Sequence, residues 1–189
     1  MPSIDINFLK QLQSEYQTYE NFIETGIFCG ETTFALEPYF SKLYTIEIKK
    51  EYYENVKQDY KGNKINFYLG DSSDVLNEII PSITGKSIIF LDGHWSGDDT
   101  GKGVKDVPLY EELRCIMLNH KDEEIIIIDD VRLFSVGPNI GNEVCNWEDI
   151  NTNNIIKIVE ERINKTYFLP SHLASDDRLI LHISKKPTP

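Results

Sequence analysis

The sequence predicts an α/β fold, a doubly wound and mostly parallel sheet of seven strands. Three observations carry that expectation. Strand-type and helix-type runs alternate along most of the chain, as in successive βαβ units. Two runs, "SIIFLDG" (87–93) and "EEIIIIDD" (123–130), are continuously apolar until their last residues, the mark of strands buried on both faces. Several strand-type runs also end in an acid, at the edge where open α/β sheets bind ligands.

The elements follow in order. "DINFLKQLQSEYQTY" (5–19) places Ile6, Leu9, Leu12 and Tyr16 at helical spacing, which predicts an N-terminal amphipathic helix. Residues 21–24 read as a strand, and a glycine turn leads into a helix that Pro38 ends or kinks. "KLYTIEI" (42–48) is a strand, "KEYYENVKQDY" (50–60) a helix and "INFYLGD" (65–71) a strand. A helix near 73–80 leads to the strand at 87–93. "DVPLYEELRCIMLNH" (106–120) reads as a helix with Asp106 as its cap and Pro108 in its first turn. After the strand at 123–130 come an irregular stretch, a helix at 150–163, a strand near 166–169 and a last strand, "DRLILHI" (177–183).

Length and composition narrow the classes. The 189 residues suit one domain: an N-terminal helix over 1–20 packed on a single domain over 21–185, with a tail at 186–189. Hydrophobic content of 40% and charged content of 26% are those of an ordinary globular chain. A formal net charge of −12 counts against nucleic-acid partners, whose phosphates it repels. Cys29, Cys115 and Cys145 are odd in number and lack a CxxC pattern, so they read as reduced thiols of a cytoplasmic protein. No apolar run approaches a membrane span. Asn164-Lys165-Thr166 fits a glycosylation pattern that occurs often by chance.

The acids at the expected strand ends are Glu24, Glu47, Asp71, Asp92, Asp129 and Asp130. The first turn, "FIETGIFCGETTFAL" (22–36), carries Gly26 and Gly30 as G-x-x-x-G rather than the dinucleotide G-x-G-x-x-G. Carboxylates on both sides of it suit a cofactor bearing positive charge better than a pyrophosphate. Glu47 follows Glu24 by 23 residues, where an acid can accept hydrogen bonds from ribose hydroxyls. A nucleoside joined to a cation describes S-adenosylmethionine. The alternative for a single such acid is a cap on the following helix.

With "FIETG", "GETT", "YTIEI", "YLGDSS", "FLDGHWSGDDTGKG" and "IIDDVRLF", the chain resembles class I S-adenosylmethionine-dependent methyltransferases over residues 20–183. Within them it is similar to a small group that O-methylates sugars or other small hydroxylated molecules. The resemblance implies a Rossmann-like methyltransferase fold with an antiparallel last strand. It implies cofactor contacts from Glu24, Thr25, Gly26 and Gly30, with Thr32 or Thr33 nearby. Glu47 and Ile48 would meet the ribose, Asp71 and Ser72 the adenine, and Asp92 the methionine half. Ile27 and Phe28 depart from the pattern, standing where many relatives have a further glycine.

For the chemistry, His94 is the candidate general base, because a neutral imidazole is available near pH 7; orienting Trp95 or capping a turn is its alternative role. Trp95 either stacks on a sugar face or fills the loop base. Asp92, Asp129 and Asp130 suit a hard divalent cation such as Mg²⁺ that would hold acceptor hydroxyls, and Arg132 is the alternative counter-ion. Lys102, Lys105 and His172 read as solvated surface. The expected function is therefore methyl transfer to a hydroxyl of a small, sugar-like acceptor. The alternatives are a non-catalytic nucleoside-binding protein and, disfavoured by the missing fingerprint, a nucleotide-dependent oxidoreductase. The sequence carries no signal of oligomeric state.

Overall fold

A computed structural model of the chain describes residues 2–97, 100–141 and 143–187. Met1, Asp98 and Asp99 of the glycine-rich loop, Asn142, and Thr188 and Pro189 of the expected tail lie outside the described residues.

The sheet has seven strands: β1 (Asn21–Thr25), β2 (Lys42–Glu47), β3 (Ile65–Leu69), β4 (Ser87–Leu91), β5 (Glu124–Ile128), β6 (Ile163–Leu169) and β7 (Arg178–Ile183). Their order is β3-β2-β1-β4-β5-β7-β6. The first five pair in parallel. β7 runs antiparallel to both β5 and β6, as expected for the last strand. The order reverses between β1 and β4, and in such sheets the crevice beyond the carboxyl ends at that reversal receives ligands.

The apolar strands serve two faces at once. On β5, Ile126 and Ile128 join one buried cluster while Ile125 and Ile127 join the other. The first cluster is completed by α4 (Ser72–Ile79), α5 (Leu109–Asn119) and α6 (Thr152–Val159). The second is completed by residues of α1 (Ile6–Leu9) and α2 (Glu31–Leu36). α3 (Lys50–Asp59) links β2 to β3. This period-two division of a continuous apolar run is what a doubly covered strand requires.

Three local expectations are corrected. The N-terminal helix covers only Ile6–Leu9, capped by Asp5, which accepts hydrogen bonds from the N–H groups of Asn7 and Phe8. Its continuation fails because the Gln13 N–H donates instead to the Tyr167 hydroxyl, 2.9 Å away. Leu9 and Leu12 are still buried, so the apolar spacing found the core without a long helix. Asp106 does not cap α5, whose capping position is Pro108; its carboxylate instead meets Lys102 and the Asn146 N–H. β6 begins earlier than its apolar residues suggested, because its middle faces outward.

At the opposite end of the sheet lies a buried polar cluster. Ser87, His120 and Glu124 are fully buried. The His120 ring nitrogens lie 3.1 Å from the Ser87 hydroxyl and 2.7 Å from the Glu124 carboxylate. Burial pushes the Glu124 carboxyl up, while His120 and Arg162 oppose the shift. Arg162 also donates to the backbone carbonyls of His120, Asp122 and Ser184, tying β5, β7 and the end of α5 together. Removing one partner of such a pair leaves a buried charge unmatched. Arg162→Met should therefore lower unfolding stability by about 3–5 kcal/mol in urea titration. A loss near zero would show that the guanidinium contributes nothing to the fold.

Candidate functional site

A cavity of about 410 Å³ opens at the β1/β4 reversal, a size usual for small-molecule sites. Its floor is the turn after β1. Gly26 has φ +80, and a Cβ there would stand 2.6 Å from the Asp92 carbonyl oxygen. Glycine thus lets the β1 turn run against the end of β4. Phe28 keeps a positive φ of 48, held by its N–H, which donates to Glu47 at 3.0 Å, and by its edge contact with Tyr52. A conformation that glycine adopts freely is imposed on a bulky residue by its surroundings.

The expected cofactor residues fall into two groups. Glu24, Gly26, Thr32, Glu47, Ile48, Asp71, Ser72 and Asp92 line the cavity. Thr25, Gly30 and Thr33 stand behind its wall. The Thr25 hydroxyl accepts from the Asp92 N–H, the Thr33 hydroxyl donates to Glu24, and Gly30 starts α2 with φ +75. A side chain at Gly30 would meet Val56 and Phe34.

Glu47 accepts one backbone N–H on each carboxylate oxygen, from Phe28 at 3.0 Å and Lys49 at 2.8 Å. Each oxygen keeps a lone pair for a further donor, which fits a pair of ribose hydroxyls. Asp71 caps α4 and borders Gly103 of the loop that arches back from β4. A side chain at Gly101 of that loop would strike Ile48, so the loop closes tightly over the β2 end.

Beyond β4, the His94 Nε2 lies 3.1 Å from Asp130, its Nδ1 lies 3.7 Å from Asp92, and its ring packs on Trp147. Burial holds its pKa below the ordinary 6.5, against the opposite pull of Asp130 and Asp129. Desolvation, reinforced by Asp129, Asp130 and Glu24, drives the Asp92 carboxyl well above the carboxylate range. Asp130 occupies the left-handed region, with φ 60, and that backbone brings its carboxylate to both His94 and Arg132. Trp95 stands in the cavity wall with the Lys102 ammonium 3.9 Å from its ring centre.

Asp129 and Asp130 do not converge with Asp92 as an open set of three ligands. Asp129 receives Arg178 at 3.2 and 3.4 Å, and Arg132 bridges Asp130 to Asp177. Among the described residues, the carboxylate and imidazole atoms of Asp92, His94 and Asp130 do lie within 4.8 Å of one another. Lys102 and Lys105 pair with Asp106 and Glu111 rather than with water alone, and His172 is exposed.

Sequence reasoning missed Arg178, Trp147, Ser3 and Glu112. Arg178 was the findable one, because an antiparallel strand begins at the edge where its parallel neighbours end. Glu112 is buried behind Gly93, and burial pushes its carboxyl up to about 7, with the nearby Ser72 and Thr25 hydroxyls opposing the shift. Ser3 lines the cavity and is held by Thr32 and Arg178.

No protein-family model matches the chain, and no curated protein matches it. Solved structures do. A S-adenosylmethionine-dependent methyltransferase from Clostridium acetobutylicum is 11% identical, with a TM-score of 0.56 over 89% of this chain and 85% of that one. Human N-acetylserotonin methyltransferase, solved with S-adenosylmethionine, is 14% identical, with a TM-score of 0.54 over 91% of this chain and 50% of that one. An rRNA methylase from Streptococcus thermophilus is 12% identical, with a TM-score of 0.52 over 90% and 89%. At these identities the likeness establishes the fold, which is that of the class I S-adenosylmethionine-dependent methyltransferases. Among the described residues no helix is long and apolar enough to cross a membrane.

Two glycines with positive φ separate contact from backbone strain. Gly26→Ala meets the Asp92 carbonyl, whereas Gly141→Ala, at φ +62, meets nothing within 4 Å. Gly141→Ala should cost about 1 kcal/mol and Gly26→Ala clearly more in parallel denaturation curves. Equal losses would show that the close approach at Gly26 is relieved without cost.

Proposed function

We propose that the chain is a cytoplasmic S-adenosylmethionine-dependent O-methyltransferase whose acceptor is a small, polar, sugar-like hydroxyl compound. The observation that carries this reading is the His94–Asp130–Arg132 relay at the wall of a cavity lined by acids. Glu24, Gly26 and Thr32 would hold the methionine half of the cofactor. Glu47 and Ile48 would hold the ribose, and Asp71 and Ser72 the adenine border. Bound there, the cofactor supplies an activated methyl group, so the chain's own task is to orient the acceptor and take its proton.

With the Nε2–H of His94 donated to Asp130, the Nδ1 lone pair is left to accept that proton. Asp130 acts through His94 as a positioning residue, and Arg132 is its counter-ion. Asp92 borders both the cofactor and the acceptor, and Trp95 forms the wall on the acceptor side. The excess of negative charge, −12, disfavours a nucleic-acid acceptor in spite of the shared fold.

Charge neutralisation at the β5 end falls to Arg178 and Arg132, which replace the metal that three open carboxylates would need. The second reading, favoured by the approach of Asp92, His94 and Asp130, is a divalent ion on those three groups. Non-catalytic cofactor binding is the remaining alternative, and turnover with a labelled methyl donor over a panel of sugars and phenols separates it.

In that assay His94→Ala should reduce kcat by about 10²–10⁴-fold and leave cofactor affinity within about twofold. Because the His94 pKa is lowered, the wild-type rate should rise with pH through a range below 6.5 and level off near pH 7. Activity should survive exhaustive EDTA treatment. Near-normal turnover of His94→Ala would remove it as the base, and loss of turnover on chelation would replace the arginine reading with the metal.

A further inference from the structure

The strand-end acids fall into two electrostatic sets. Past β5, Asp129 and Asp130 each hold an arginine. Around the large cavity, Glu24, Glu47, Asp71 and Asp92 make no ion pair with lysine or arginine among the described residues, and Asp92 instead has the His94 ring beside it. Within this second set, Glu47 and Asp71 accept hydrogen bonds from backbone N–H groups. Glu24 does not. It is 2% exposed, faces the cavity, and its recorded partner is the Thr33 hydroxyl.

A buried carboxylate with one neutral donor is costly when charged. Its neighbours make this worse. β1 lies between β2 and β4, and these strands present Glu47 and Asp92 to it, while from α2 Thr33 donates to it and Glu31 lines the same cavity. The site therefore lacks a positive charge at one definite place. We propose that Glu24 selects for positive charge in the bound cofactor and becomes ionised only as that charge arrives, giving its proton to solvent. The proposal rests on the reading of this cavity as an S-adenosylmethionine site, and it adds a selection mechanism that the fold does not supply.

The electrostatics agree with the geometry. Burial raises the Glu24 carboxyl to about 8, with Glu47 adding to the shift and Thr33 opposing it. Near pH 7 the free protein thus holds Glu24 mainly protonated. A cation beside it favours the ionised form and returns the group toward the ordinary range. Affinity for a cationic ligand should then rise with pH up to about 8 and level off above it. The free protein shows the opposite linkage. Its folded-state pKa exceeds the unfolded value, so the stability contribution is present at low pH and is lost as pH rises through about 8.

The test is calorimetric titration at pH 7 in two buffers of different ionisation heat. The probes are S-adenosylmethionine and 5′-deoxy-5′-methylthioadenosine, which keeps the nucleoside and lacks both the sulfonium and the amino-acid ammonium. Wild-type protein should release about one proton per S-adenosylmethionine bound and almost none with the neutral probe. Glu24→Gln keeps the size of the side chain and its acceptor for Thr33. It should release about one proton fewer than wild type and should lose roughly tenfold or more of the preference for the cationic probe. Its melting temperature should also fall less than that of wild type between pH 5 and 8.

S-adenosylmethionine binding without proton release, or an unchanged preference in a folded Glu24→Gln, would overturn the proposal and leave the cofactor reading in place. Failure of S-adenosylmethionine to bind would overturn both.

Discussion

Carboxylates gathered at one edge of a sheet must find positive charge or keep their protons, and the site is organised by that constraint. The five parallel strands deliver their carboxyl ends to a single edge, and each of those ends carries at least one acid, six carboxylates in all. On the β5 side the protein answers with its own guanidinium groups. Arg178 reaches Asp129 from the start of β7, and Arg132 joins Asp130 to Asp177. On the β1 and β4 side no lysine or arginine pairs with the strand-end acids among the described residues. Glu47 and Asp71 accept backbone N–H groups there, and burial raises the carboxyl groups of Glu24 and Asp92.

The topology explains why the division falls where it does. β7 is the one strand antiparallel to its neighbours, so its first residue, not its last, lies at the acidic edge. That residue is Arg178, which also donates to the carbonyls of Ser3 and Pro170 and lies over the Phe8 ring. The short N-terminal segment is thereby fastened to the same ion pair that neutralises Asp129. The left-handed backbone at Asp130 adds local strain of the kind that persists where surroundings over-determine it. Here the surroundings are His94, Arg132 and the Val131 N–H, which donates to the Asp177 carbonyl.

Much of this was legible in the sequence. The alternation of runs gave the strand order its units, and the two continuous apolar runs became the buried strands β4 and β5. The strand-end acids marked the right edge, and Glu24, Glu47, Asp71 and Asp92 all reached the cavity. What local pattern could not show was long-range. Gln13 gives its N–H to a tyrosine 154 residues away, which no helical periodicity reveals. Trp147 packs on His94 from an irregular segment with no motif. Asp130 does approach Asp92 as expected, but Asp129 and Asp130 already hold Arg178 of β7 and Arg132 of the turn after β5. Sequence showed the acids; only the fold showed which of them were already matched.

In the proposed reading the acids without an arginine partner give the cavity its chemical preference, with the buried Glu24 on one wall, Glu47 for the ribose on another and the His94 imidazole opposite. The most direct measurement is a crystal structure of the protein grown with S-adenosylmethionine. The nucleoside should lie with its ribose hydroxyls on Glu47 and its charged half between Glu24 and Asp92, while Asp129 and Asp130 keep their arginines. Cofactor density elsewhere, or a charged half turned away from Glu24 and Asp92, would contradict the assignment of the site.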